Sequence, residues 1–203
     1  SRGLGDVYKR QAETLSVDGI AGLEVNVSCP NVECEGMAFG VDPKVVESVT
    51  KAVRKVTDKP VIVKLSPNVT DIVEIAKAVE AGGGNGVSLI NTLLGMAIDI
   101  HRRKPVLGNT YGGLSGPAVK PVALRMVHQV YKGVTIPIIG LGGIMTGTDA
   151  IEFMMAGAQA VQVGTATMVD PTAISRIARE MSEYVEQYNL NSITDIVGAV
   201  HQV

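Results

Sequence analysis

Five short apolar runs rich in Val, Ile, Leu and Ala punctuate the chain, at residues 22–28, 60–66, 86–91, 136–139 and 160–163. Segments of helical period follow them, at 45–56, 70–81, 120–131, 149–156 and 171–188. In the first of these, Val45, Val46, Val49, Ala52, Val53 and Val56 recur three and four apart. Strand and helix alternating five times predicts an α/β fold with a parallel sheet, since parallel neighbours need a crossover long enough for a helix. Two architectures satisfy that order. One is an open doubly wound sheet; the other is a run of consecutive (β/α)8 barrel units from which the first three are missing. Aromatics at 3% and 23 glycines suit a core of small aliphatic side chains joined by tight turns.

The remaining segments are less regular. Residues 1–11 show no period and are expected to be a frayed tail or foreign sequence, with the domain running over 12–203. Residues 12–21 read as the end of a helix and a turn. Asp42-Pro43 marks a helix start, and Thr70 is the expected cap of the helix over 70–81. Residues 92–117 form a long excursion, expected to be a small hairpin pairing 96–100 with 105–107. A short last helix is expected from about Ser192.

Composition excludes several classes of function. With 18 basic and 20 acidic residues interspersed and a net charge of −2, no basic stripe offers itself to nucleic acid. The longest uncharged run, 81–98, contains five Gly, two Asn, a Ser and a Thr, too polar to span a bilayer. Two cysteines in 203 residues make no disulfide framework, which points to a reducing cytoplasmic setting. Cys29 and Cys34 lack further ligands nearby, so no metal site is expected.

The chemistry is expected at the strand tips. The run Asn26-Val27-Ser28-Cys29-Pro30-Asn31 ends a strand at a proline and leaves a thiol between two amides. A lone cysteine is as readily a small buried hydrophobe. Lys64, within Val61-Ile62-Val63-Lys64-Leu65, needs an anion unless its stem reaches solvent. Asn91-Thr92 ends the third strand, as Asn26 does the first. Gly142-Gly143 and Gly164-Thr165 follow successive strands and precede helices, where free backbone N–H groups bind phosphate; simple turns are the plainer reading of either alone. Gly112, Gly113 and Gly116 permit close approach to a flat ligand or a plain loop. His101 reads as a solvated hairpin tip, and His128 and His201 as surface helix positions.

The residues 26–31 (NVSCPN), 63–68 (VKLSPN), 90–93 (INTL), 112–118 (GGLSGPA), 139–144 (IGLGGI) and 163–166 (VGTA) occur in that order. Together they resemble the catalytic subunit of the class 1B, NAD-linked dihydroorotate dehydrogenases, from about Ala12 to the C-terminus. The resemblance implies a (β/α)8 barrel holding FMN, of which this chain carries about the last five units. It implies oxidation of dihydroorotate to orotate in pyrimidine biosynthesis. Cys29 would be the base that takes the C5 proton while C6 yields hydride to the flavin. Asn26, Asn91, Thr92 and Asn31 would bind substrate, Asn26 touching the flavin as well. Lys64, Ile90 and Gly116 would lie against the ring, and Gly142, Gly143, Gly164 and Thr165 would take the phosphate. From glycine content alone, and not from the resemblance, Gly36 and Gly40 are expected to free the Cys29 loop to act as a lid.

By the same resemblance, a partner subunit carries FAD and a 2Fe–2S cluster and passes electrons to NAD, with a homodimer inside a heterotetramer. The family carries three further strand–helix units upstream, with a second flavin lysine and another substrate asparagine. The chain alone is therefore expected to have an open barrel edge, poor stability and little or no FMN binding. A flavin domain of the dihydropyrimidine dehydrogenase type and a non-catalytic barrel fragment are the competing expectations.

Overall fold

A computed structural model of the protein describes residues 4–28 and 39–201. The chain runs α1 (Leu4–Leu15), β1 (Leu23–Asn26), α2 (Pro43–Arg54), β2 (Val61–Lys64), α3 (Ile72–Ala81) and β3 (Gly86–Leu89). An excursion of four short strands follows: β4 (Leu93–Gly95), β5 (Ile98–Asp99), β6 (Lys104–Pro105) and β7 (Gly112–Leu114). The regular alternation then resumes with α4 (Lys120–Tyr131), β8 (Ile138–Leu141), α5 (Gly147–Met155), β9 (Ala160–Gln162), α6 (Thr165–Val169) and α7 (Ala173–Gln187). Short 3-10 turns at Ile193–Ile196 and Ala199–His201 end the described chain.

Strands β1, β2, β3, β8 and β9 pair in that order, all parallel. The order follows the chain without reversal. One face of the sheet carries Leu23, Val25, Val61, Val63, Val87, Leu89 and Ile138, all buried in a core shared with the helices. Helices α1 to α5 lie side by side in chain order, and α7 packs on α5. A doubly wound sheet would reverse its strand order and carry helices on both faces; neither occurs among the described residues, so that alternative is set aside.

The opposite face carries Glu24, Asn26, Ile62, Lys64, Ser88, Ile139, Leu141 and Gln162, and it is concave. Gln162 Nε2 on β9 donates to Glu24 Oε2 on β1 at 2.8 Å. In a flat sheet four strand spacings would hold those two edges roughly 19 Å apart. Only strong curvature lets two side chains join them.

Local chemistry sets the boundaries. Asp42 caps α2, its carboxylate accepting from Lys44 N, with Pro43 at the first helical position. The cap of α3 is Asp71 rather than Thr70: its carboxylate accepts from Val73 N and Glu74 N. Strand β8 begins two residues later than the periodicity suggests, at Ile138, because Pro137 has no N–H to give a ladder. Gly140 belongs to that strand and not to a turn, since a Cβ there would lie 2.6 Å from Phe153 Cδ1. The excursion holds two nested antiparallel pairs, β4 with β7 and β5 with β6, the inner one close to the expected hairpin.

Two further expectations need correction. The segment read as an aperiodic tail is largely helical: α1 buries Ala12, and Tyr8 Oη donates to Asn26 O at 2.9 Å. His128 and His201, expected as surface helix positions, lie on helical turns but are half-buried. Their rings stack at 4.1 Å, Tyr131 stacks on His201 at 4.7 Å, and His201 Nε2 lies 3.0 Å from Ala156 O. Burial, then the charge of His201, pushes the His128 imidazole below its ordinary value. Among the described residues no helix is long and apolar enough to cross a membrane.

Candidate functional site

The C-terminal ends of β2, β3, β8 and β9 and the base of the excursion surround a cleft of ≈ 250 Å³. Lys64 enters it from β2, and Ile90, Asn91 and Thr92 from the end of β3. Gly116 reaches it ahead of α4, Gly142 and Gly143 follow β8, and Gly164 and Thr165 follow β9. Of the twelve residues expected at a site, these nine line the one cleft. Asn26 does not line it but is joined to it. Cys29 and Asn31, with Gly36 of the expected lid, lie outside the described residues. Gly40 is buried, and a Cβ there would meet Val27 O at 2.5 Å, so close packing accounts for this glycine.

The amide side of the cleft is a hydrogen-bond network. Asn26 Oδ1 accepts from Asn91 Nδ2 (3.2 Å), Ser28 Oγ (2.6 Å) and Ser28 N (3.1 Å). Asn91 Nδ2 also donates to Ser28 Oγ, and Asn91 Oδ1 accepts from Thr92 N at 2.8 Å. The tips of β1 and β3 are thereby tied together, although β2 lies between them. Lys64 finds the anion its position calls for in Glu24, whose Oε1 lies 3.7 Å from Lys64 Nζ.

The glycine side is built differently. Gly142 and Gly143 have φ of 127° and 80°, in the left-handed half of conformational space. The backbone N–H groups of Gly142, Gly143, Gly164 and Thr165 donate to no protein acceptor among the described residues. A Cβ on Gly164 would meet nothing within 4 Å, so the backbone there is open to whatever enters the cleft. Thr165 Oγ1 donates to Ser115 Oγ at 2.9 Å, which closes the rim between the two loops. Four free amides and the hydroxyls of Ser115 and Thr165 form a donor set suited to an anionic group such as a phosphate.

The sequence model of the family described as dihydroorotate dehydrogenase matches residues 5–185. The chain belongs to the dihydroorotate dehydrogenase family. It is 65% identical over 202 residues to the protein of Desulforamulus reducens named dihydroorotate dehydrogenase B (NAD(+)), catalytic subunit, covering 99% of this chain and 66% of that one. The protein of the same name from Geobacter sp. strain M21 is 60% identical over 182 residues, covering 90% and 60%. That from Alkaliphilus oremlandii is 59% identical over 191 residues, covering 94% and 63%. The chain thus spans 60 to 66% of the length of these relatives. In fold it is similar to the Eimeria tenella DHODH crystallised with ferulenol, with a TM-score of 0.83, 23% identity, and coverage of 100% and 60%.

Several residues that support the cleft in this dihydroorotate dehydrogenase family member were not singled out from sequence, because each acts across a long separation. Asp149 is the first. Its Oδ1 accepts from Lys120 Nζ at 2.6 Å, and its Oδ2 from Met145 N and Thr146 N at 2.9 Å each. Thr146 Oγ1 accepts in return from Asp149 N, completing a capping box on α5. Lys120 also reaches Glu152 Oε2 at 2.9 Å. The clamp joins the loop carrying Gly142 and Gly143 to the helix that follows Gly116.

Burial pushes the Asp149 carboxyl up, but the bonds from Lys120, Met145 and Thr146 outweigh it and hold the carboxyl below its ordinary value. The same contact, with Glu152 second, raises the Lys120 ammonium. The depressed carboxyl stabilises the fold fully above an unfolded value of about 3.9 and stops doing so as pH falls through its folded value. The raised ammonium contributes fully below about 10.4, and its share is lost as pH rises through its folded value. Asp149→Asn is therefore expected to cost about 2 kcal/mol at neutral pH. The gap between the urea midpoints of variant and parent should close only below about pH 4. A gap unchanged at pH 3 would remove the clamp from the account.

Asn68 is the second. Its Nδ2 donates to Thr92 O (3.1 Å) and its Oδ1 accepts from Leu94 N (2.9 Å), tying the loop after β2 to the base of the excursion. Asn68→Ala is expected to cost about 1 kcal/mol and to speed hydrogen exchange at the Leu94 amide more than at the amides of α3. Equal exchange at Leu94 in both proteins would show that the tie does not hold the excursion.

Proposed function

We propose that the chain is the FMN-binding, substrate-binding part of a dihydroorotate dehydrogenase of the NAD-linked kind, and that residues 12–203 form about the last five units of a (β/α)8 barrel. The observation that carries this reading is the convergence of nine expected site residues on one cleft at the strand ends. The chain order of the strands, the single helical layer and the curvature that joins Glu24 to Gln162 support the barrel.

The chain's own residues suit the group. The free amides of Gly142, Gly143, Gly164 and Thr165 would hold the FMN phosphate. Gly116 and Ile90 would border the ring, and Lys64 would offset negative charge on it. FMN, when bound, supplies the hydride acceptor. Asn26, Asn91 and Thr92 would orient the substrate by amide and hydroxyl hydrogen bonds, with Asn31 as a further contact. Cys29 would take the proton from C5 of dihydroorotate, since a thiol can be poised near working pH by its surroundings. Electrons would pass onward to NAD through a partner subunit carrying FAD and a 2Fe–2S cluster, in a cytoplasmic assembly built on a homodimer.

The test is spectroscopic. Joined to the upstream units that the barrel reading calls for, the protein is expected to purify with a flavin spectrum that bleaches when dihydroorotate is added without oxygen. The 203-residue chain alone should purify colourless, because its concave face and both sheet edges lack those units. A long protein without flavin, or one bleached by dihydrouracil and not by dihydroorotate, would overturn the reading.

A further inference from the structure

Lys64 lines the cleft, and the group that holds it lies one layer below. Glu24 and Lys64 stand on adjacent parallel strands, where Glu24 pairs with Ile62 and Lys64 pairs with Asn26, so both side chains belong to the concave face. Glu24 Oε1 faces Lys64 Nζ at 3.7 Å. Its other oxygen accepts from Ser88 Oγ on β3 at 3.0 Å and from Gln162 Nε2 on β9 at 2.8 Å. One carboxylate is thus fixed by side chains from three other strands. Among the described residues Glu24 is the one carboxylate within ion-pair distance of Lys64. The two side chains are 31% and 22% exposed, so water screens the pair only in part.

We propose that Glu24 is a positioning residue for Lys64. It restrains a long flexible side chain whose ammonium would otherwise sample many rotamers. The carboxylate is held in turn by Ser88 and Gln162, which makes the tip of β2 sensitive to the far edge of the sheet. The pair is read from geometry alone; its effect on a ligand rests on the proposal that a flavin lies beside Lys64.

The discriminating variant is Glu24→Gln, which keeps the shape and an acceptor for Ser88 while removing the charge. In the flavin-loaded full-length protein the midpoint potential of the flavin is expected to rise, because the Lys64 ammonium, released from Glu24, is free to draw nearer the reduced ring. In a Lys64→Met background the same substitution should leave the potential much nearer its parent value. An unchanged potential in E24Q, or an equal rise in both backgrounds, overturns the inference, since a residue serving only to pack the barrel floor would not act through Lys64. The pair is tested separately, without flavin, by the unfolding midpoints of the parent, E24Q, K64M and the double variant. A non-additive set supports the pair and an additive set removes it. If the parent protein holds no flavin, the functional reading falls, and this second measurement alone decides whether Glu24 positions Lys64.

Discussion

Gly143→Ala is expected to destabilise the protein by roughly 2–4 kcal/mol and to abolish ligand retention in the cleft. Two costs add. Gly143 sits at φ 80°, where an L side chain is strained. A Cβ built there also lies 2.6 Å from Gly116 O and 2.9 Å from Lys120 N. Both obstacles are backbone, so no side chain can rotate out of the way. Relief requires the loop after β8 to part from the segment before α4, and the Lys120–Asp149 clamp holds those two together. The same shift would displace the free amides of Gly142 and Gly143 from the cleft.

Gly164→Ala is the control that separates fold from ligand. Its Cβ would meet nothing within 4 Å, so the fold should accept the methyl without a clash. The space that methyl would enter belongs to the cleft. Urea unfolding of both variants in the full-length, flavin-loaded protein, with flavin content measured alongside, checks the pair. Gly143→Ala should lose stability and flavin together, whereas Gly164→Ala should lose flavin and keep its midpoint. An unfolding midpoint for Gly143→Ala equal to the parent's would mean that the loop has room the structure denies it.

The two glycine sites also show what sequence can and cannot disclose. Gly142-Gly143 and Gly164-Thr165 were legible because each pair follows a short apolar run and precedes a helical period, a purely local pattern. Gly140 lies just past the apolar run 136–139, and only the Phe153 ring, thirteen residues away in sequence, shows why the strand holds a glycine there. Helix α6 is five residues long, too short to display a period. His128 and His201 read as plain surface helix positions because nothing local records that their rings stack across 73 residues. Lys64 was legible as a cation in need of an anion, yet the anion could not be named without the register that sets β1 beside β2. The alternation Leu23, Glu24, Val25, Asn26 did hold that signal, a carboxylate and an amide on the same face of a strand otherwise apolar. Position within an element is written locally; partnership across elements is written in the topology.

Cys29→Ser in the full-length protein is expected to lower the rate of flavin reduction by dihydroorotate by about 10²–10⁴-fold, the usual worth of a general base. The described part of the chain bears on this through Ser28, to which Cys29 is covalently joined. Ser28 is held by Asn26 and by Asn91, and Asn91 lines the cleft. A base acting there must lose its proton before it can take one from carbon. A thiol with an ordinary value near 8.5 can be brought into range by a nearby cation or by amide donors. A hydroxyl ionises far above any working pH, so the serine variant should retain substrate binding and lose the proton transfer. Rapid-mixing measurements of flavin bleaching across pH separate the alternatives. The parent rate should climb with pH as the thiol ionises and then level, while the variant stays slow at every pH below 9. A serine variant within threefold of the parent rate would make Cys29 a packing residue and move the search for the base to the other groups around the cleft.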